Sequence, residues 1–194
     1  AISPDGMMYV LSRGSDANQV QRVTMLTTDE EFIGEFGGPG SDDGQFIWPT
    51  SIVIDNEGMI YVADEWLNRI TIFDKSGNFH SKWGQPGSEI GKINGASGLA
   101  FDSNGYLYVS ENLGHRIQKF TKDGEHVKTW GKCGQSNGEL TRPWGITVDS
   151  DDNVYVADWF NNRVQKFDSD GKFISIVGSE GPRLELPSSV AVDQ

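Results

Sequence analysis

The sequence predicts an all-β protein assembled from repeated four-stranded antiparallel sheets, and three observations carry that prediction. Landmark residues recur 47 positions apart: Tyr61, Tyr108 and Tyr155; Arg69, Arg116 and Arg163; Asp55, Asp102 and Asp149; Gly44, Gly91 and Gly138; Trp83 and Trp130. Their constant internal order marks a repeated structural unit rather than coincidence. The 194 residues include 24 Gly but only 7 Pro, and 11% are aromatic. Gly has no three-residue period and the aromatics suffice for a core, which excludes collagen-like and disordered chains. Finally, the apolar runs are short and bounded by Gly, Asn, Asp and Ser, the pattern of strands and tight turns.

Residues 141–186 show the layout of one unit. Gly145-Ile146-Thr147-Val148-Asp149 alternates as a first strand and 150–153 turn. Val154-Tyr155-Val156-Ala157-Asp158 is the second strand and 159–161 a loop. Asn162-Arg163-Val164-Gln165-Lys166-Phe167 is the third strand, and residues 172–178 the fourth. Between them, Asp168-Ser169-Asp170-Gly171 is a hairpin turn in which Gly supplies a positive φ. Units 47–93 and 94–140 follow the same order, while unit 1–46 diverges. Tyr9 to Tyr61 is 52 residues, five over the period. Matching Asn18-Gln19-Val20-Gln21 to Asn162-Arg163-Val164-Gln165 assigns two extra residues before the third strand and three before Glu31-Phe32-Ile33-Gly34-Glu35-Phe36-Gly37. Residues 187–194 open a fifth unit. Four short strands per unit of this length is the blade of a β-propeller. A blade cannot bury both faces alone, so neighbours must stack on it. The rival all-β repeat, a solenoid, has shorter units of roughly 20–30 residues.

The run Pro143-Trp144-Gly145-Ile146-Thr147-Val148-Asp149, then Asn153-Val154-Tyr155-Val156-Ala157-Asp158, Asn162-Arg163-Val164-Gln165-Lys166-Phe167-Asp168 and Gly171-Lys172-Phe173-Ile174 resembles the NHL repeat. The likeness extends over nearly the whole chain and is strongest in the second and fourth units. It implies a propeller, typically six-bladed, for which units of this length need about 280 residues. Four units and an opening strand are therefore expected to be an incomplete propeller, a piece of a larger one. Its terminal blades, and the stretch Val190-Ala191-Val192 in particular, are the expected elements of self-association. The rival is a small closed ring, in which residues 1–3 and 191–193 would claim the same innermost position.

An acid and an arginine recur together: Asp64 with Arg69, Glu111 with Arg116, Asp158 with Arg163. The first unit reads Ser12 and Gln19 at these positions, so both charges are lost jointly. That is the behaviour of structural pairs, since a buried carboxylate without its cation is costly. Trp83 and Trp130 end the fourth strands and read as packing. Trp66, Trp159 and Phe160 lie on the loop between second and third strands, and Trp48 and Trp144 just before the first strand. In a meander these two loop classes emerge at one end of the blade. They form an aromatic face suited to a protein or small ligand, with no position shared from unit to unit. The turns at the other end hold Asp55, Glu57, Asp74, Asp102, Asp123, Asp149, Asp151, Asp152, Asp168 and Asp170, read as turn-formers. Asp149-Ser150-Asp151-Asp152-Asn153 begins like a calcium loop but continues with Val154 and Phe160 where Gly and Glu are needed.

Formal net charge is -12 and the pI near 4.5, which disfavours nucleic acid and anionic membrane surfaces as partners. No apolar run reaches the roughly 20 residues of a membrane helix, and no basic-then-apolar leader opens the sequence. Cys133 is the lone cysteine and reads as a loop residue. The peptidyl-hydroxyglycine amidating lyases are similar propellers whose zinc-binding histidines come from comparable loops. Here only His115 occupies such a position, with Asn18, Asn68 and Asn162 at the others, and one histidine cannot make that site. The expectation is a non-catalytic scaffold without cofactor that binds protein or ligand through the aromatic face. The alternative is a lyase- or hydrolase-type propeller enzyme whose metal site is lost or outside this segment.

Overall fold

A computed structural model of the chain describes residues 1–194 except 16, 17, 19, 179, 183 and 194. It divides into two compact units, Ala1–Pro86 and Gly87–Gln194, each considered by itself.

The first unit holds two sheets. β1 (Met7–Ser12), β2 (Arg22–Thr27) and β3 (Phe32–Gly37) pair antiparallel in that order. β4 (Pro49–Ile54), β5 (Ile60–Asp64), β6 (Arg69–Phe73) and β7 (Phe79–Trp83) form a four-stranded meander. The second unit holds two more meanders. One is β8 (Ala96–Phe101), β9 (Leu107–Glu111), β10 (Arg116–Phe120) and β11 (His126–Trp130); the other is β12 (Pro143–Val148), β13 (Val154–Asp158), β14 (Arg163–Phe167) and β15 (Phe173–Val177). A 3-10 turn, Trp159–Asn161, is the one helical element among the described residues. The first blade thus has three full strands where four were expected. Residues 1–3 take the innermost position, bridged from Ile2 to Met8 with the Tyr9 N–H donating to the Ala1 carbonyl at 2.8 Å.

The middle strands β5, β6, β9 and β10 are buried at every position. Rows such as Ile60-Tyr61-Val62-Ala63 and Leu107-Tyr108-Val109 are apolar on both faces, as strands buried at every position require. The core gathers Tyr9, Val23, Phe46, Ile60, Val62 and Phe73 in the first unit, and Tyr108, Ile117, Leu140, Val154, Val156 and Phe167 in the second. Where blades meet within a unit, an aromatic from one outer strand lies on the hairpin glycine of the next. Phe36 covers Gly77 and Trp130 covers Gly171, so closely that a Cβ at either glycine would enter the ring's envelope. Both glycines also sit at positive φ, +83° and +77°, so no other residue fits there.

The turns follow one rule. Asp55, Asp102 and Asp149 each accept backbone N–H bonds from the second and fourth residues onward, at 2.8–3.0 Å. Ser3 stands in for the acid in the first blade and accepts the Met7 N–H at 3.0 Å. The last turn residue has positive φ and is Gly6, Gly58 or Gly105, but Asp152 in the fourth blade. Asp152 uses its carboxylate to hold the neighbouring turn, accepting Ser103 N–H at 2.9 Å and Ser103 Oγ–H at 2.7 Å.

Strand register corrects the reading of the first unit. Ser12 lies opposite Arg22, as Asp64 lies opposite Arg69, Glu111 opposite Arg116 and Asp158 opposite Arg163. Arg22 therefore holds the arginine position; Gln19, assigned to it from sequence, lies outside the described residues. The spacing from Arg22 to Phe36 equals that from Arg69 to Trp83, so all five extra residues fall in the loop between β1 and β2. The two charges are not lost together. The acid is absent, and Arg22 pairs instead with Glu35 at 3.2 Å.

Candidate binding face

The loop face rests on a buried polar layer. In the fourth blade Asp158, wholly buried, accepts the Thr141 N–H at 2.7 Å on Oδ1. On Oδ2 it receives Asn161 Nδ2 at 2.8 Å, Arg163 Nε at 2.8 Å and Gln165 Nε2 at 3.0 Å. Arg163 extends to the carbonyls of Ser136 and Glu139, clamping the loop that enters β12. The third blade repeats this, with Arg116 Nε on Glu111 at 2.9 Å, Gln118 on the same carboxylate, and guanidinium bonds to the Ser88, Glu89 and Lys92 carbonyls. Burial pushes the Glu111 carboxyl up, against the opposing pull of Gln118 and Arg116.

The second blade departs from the expected pair. Asp64 caps four backbone N–H groups, those of Ile47, Trp48, Trp66 and Leu67, at 2.8–3.0 Å. Arg69 keeps the carbonyl clamp on Ser41, Asp42 and Gln45, but its Nε has no hydrogen-bond partner. The residue two beyond the arginine is Thr71 here and Gln118 or Gln165 in the other two blades. Where that glutamine reaches the carboxylate, the arginine does too. These glutamines escaped the sequence reading, although their 47-residue spacing was there to be found. So did Lys119 and Lys166, which meet the turn acids Asp102 and Asp149 at 2.8 and 3.3 Å. The adjacent Tyr108 hydroxyl is pushed well up by burial and by Asp102. Burial works against Asp149, yet hydrogen bonds from Asn153, Tyr155 and Lys166 hold it down at about 2.

Above this layer lie the aromatics. In the fourth blade Trp144 meets Trp159 edge-on at 5.4 Å, Trp159 stacks on Phe160 at 4.5 Å, and the Arg142 guanidinium lies 5.2 Å from the Phe160 ring centre. In the first unit Arg13 lies 3.7 Å over Trp48, and Trp66 is 71% exposed. The register reveals a shared position where none was expected. Trp66, Leu113 and Phe160 each stand two residues past the buried acid, and all are exposed, Leu113 at 47% and Phe160 at 46%. At Asp64, Oδ1 accepts the Trp66 and Leu67 amides at 3.0 and 2.9 Å, which fixes the backbone that carries Trp66. Leu113 is aliphatic, so the aromatic pattern in the sequence does not contain it.

The remaining candidates separate. His126 packs edge-on against Phe120 and bonds Thr129, and Cys133 is exposed. His115 Nδ1 accepts the Arg142 N–H at 3.1 Å. Among the described residues no three His, Cys, Asp or Glu side chains group as metal ligands, and no helix is long and apolar enough to cross a membrane.

Blades of this kind define the β-propeller class, and comparison with known structures agrees. A streptogramin B lyase superposes with a TM-score of 0.67 at 21% identity, covering 89% of this chain and 51% of that one. Virginiamycin B lyase from Staphylococcus aureus gives 0.67 at 21%, covering 90% and 53%. A chain of a nidogen/laminin complex gives 0.64 at 18%, covering 96% and 66%. The chain spans about half the length of the two lyases. No curated protein matches it. Residues 140–167 match the NHL repeat, and the fold of the chain is that of a β-propeller.

Proposed function

We propose that this propeller scaffold is non-catalytic and binds a protein or small ligand through the loop ends of its blades, which carry Trp48 and Trp66 in the first unit and Trp144, Trp159 and Phe160 in the second. The observation that carries the reading is the exposed apolar side chain two residues past the buried acid in three blades, Trp66, Leu113 and Phe160. A buried acid held by three or four hydrogen bonds stands at the base of each loop, so the apolar residue is presented on a rigid support. Rigid aromatic and arginine anchors are the residues that dominate interface energetics. The acidic chain offers Arg13 and Arg142 beside these rings, which suits a segment combining apolar and carboxylate groups.

Selection of a displayed peptide library on the purified chain tests this. Peptides are expected that lose at least tenfold in affinity, ~1.4 kcal/mol, on Trp66→Ser or Phe160→Ser and none on Ile174→Ser of the outer strand. Binders indifferent to both loop substitutions would overturn the reading. Zinc bound stoichiometrically by the purified chain would favour the enzyme reading, which the lyases among the fold relatives keep in view. Self-association through the terminal blades, with Val190-Ala191-Val192 as the contact element, belongs to the same proposal, and Ile174 and Val177 of the last strand, β15, are 47% and 39% exposed. Light scattering showing only monomer would remove it.

A further inference from the structure

His115 and Asn162 hold equivalent places, each just before the clamp arginine of its blade and each at positive φ, +53° and +55°. Each side chain accepts a backbone N–H from the segment that leads into the next repeat. His115 Nδ1 takes that of Arg142 at 3.1 Å, and Asn162 Oδ1 takes that of Leu186 at 2.9 Å. Arg142 and Leu186 are equivalent as well. Both precede a proline, Pro143 or Pro187, and both have positive φ, +53° and +44°, a conformation L residues seldom hold without support. The same latch between blades is therefore made twice in this unit, once with an acceptor that titrates and once with one that does not.

Accepting at Nδ1 requires a neutral ring with its proton on Nε2. The imidazolium carries N–H on both nitrogens, and Nδ1–H would then face the Arg142 N–H, donor against donor. The charged groups facing the ring are Arg142, just before β12, and Asp158 from the end of β13; flanking its own loop, Glu111 and Arg116 pair with each other at 2.9 Å. Burial, and then Arg142, hold the His115 pKa below the usual histidine range, against the pull of Asp158. Arg142 in turn places its guanidinium over Phe160, at the edge of the Trp159–Phe160 stack.

We propose that His115 is a proton-operated latch between the third and fourth blades: neutral, it holds Arg142 and the Arg142–Phe160 edge of the loop face; protonated, it releases them. The consequence for ligand binding rests on the binding reading above, whereas the latch itself does not.

Amide NMR of the labelled chain between pH 7.5 and 5 tests it. The Arg142 amide proton is expected to move upfield on acidification along a single curve, sharing its midpoint with the His115 ring signals, below the ordinary value near 6.5. The Leu186 amide is expected to stay still. In His115→Asn, the residue the chain itself uses at 162, Arg142 should become as insensitive as Leu186. An Arg142 amide that ignores pH in the unmodified chain, or still titrates in His115→Asn, overturns the latch. Leu186 supplies the internal control in the unmodified chain, so the test stands even where the variant does not fold. A library-selected peptide should lose affinity below the midpoint in the unmodified chain only; if the library yields no binder while the amide titrates, the binding reading alone fails.

Discussion

The second and fourth blades solve one problem in two ways. Each buries an aspartate at the end of its second strand, wholly out of solvent. In the fourth blade Asp158 is neutralised by Arg163 and shared with Gln165. In the second, Asp64 pairs with no cation among the described residues and is satisfied by four backbone amides. Both arginines make the same clamp on the carbonyls of the incoming loop. The clamp, then, is the common device, and the ion pair is an addition that accompanies a glutamine two residues on. A buried carboxylate is tolerated either way, because aligned amide donors stabilise the charged form as a guanidinium does.

The largest consequence lies in the arginines. Arg163→Met should cost about 3–5 kcal/mol, because it strands a buried carboxylate. Arg69→Met removes only bonds to neutral carbonyls and should cost about 1.5–3 kcal/mol. Urea midpoints at constant slope give the ranking; equal losses would erase the distinction between the blades. Next comes Thr71, whose buried Oγ1 has no hydrogen-bond partner. Thr71→Val should stabilise the chain by about 1 kcal/mol, by removing the desolvation cost of that hydroxyl, and its melting temperature should rise. Gln165→Val, at the matching position, should lower it.

Much of this was legible in sequence and some was not, for physical reasons. The 47-residue spacing of Tyr61, Tyr108 and Tyr155 gave away the blades, because each packs in the same core slot. Arg22 was hidden because Asn18-Gln19-Val20-Gln21 resembles Asn162-Arg163-Val164-Gln165 locally, while register is set by pairing across the sheet, Val23 with Phe36. The divergence of Asp64 depends on Thr71, a residue of the next strand, and pairwise spacing of acid and arginine does not see a third member. The His115 latch joins two blades, so no single repeat contains it.

A smaller effect sharpens the comparison at the opposite end of the fourth blade. The Asp149 pKa is held down at about 2, below its unfolded value near 3.8, so its stabilisation is present above the unfolded value and lost as pH falls through about 2. Asp149→Asn should flatten stability against pH between 4 and 2. An unchanged acid limb would show that Asn153, Tyr155 and Lys166 do not bind the charged form more tightly than water does.

The loop face itself is tested most directly by the six indole N–H signals in the NMR spectrum during titration with a library-selected peptide. Trp48, Trp66, Trp144 and Trp159 line the loop ends of their blades, whereas Trp83 and Trp130 end outer strands, Trp130 with its indole N–H buried. The loop-face account predicts that the shifts on binding fall among Trp48, Trp66, Trp144 and Trp159 while Trp83 and Trp130 stay in place. Shifts confined to Trp83 and Trp130 would put the binding surface on the outer rim and contradict it.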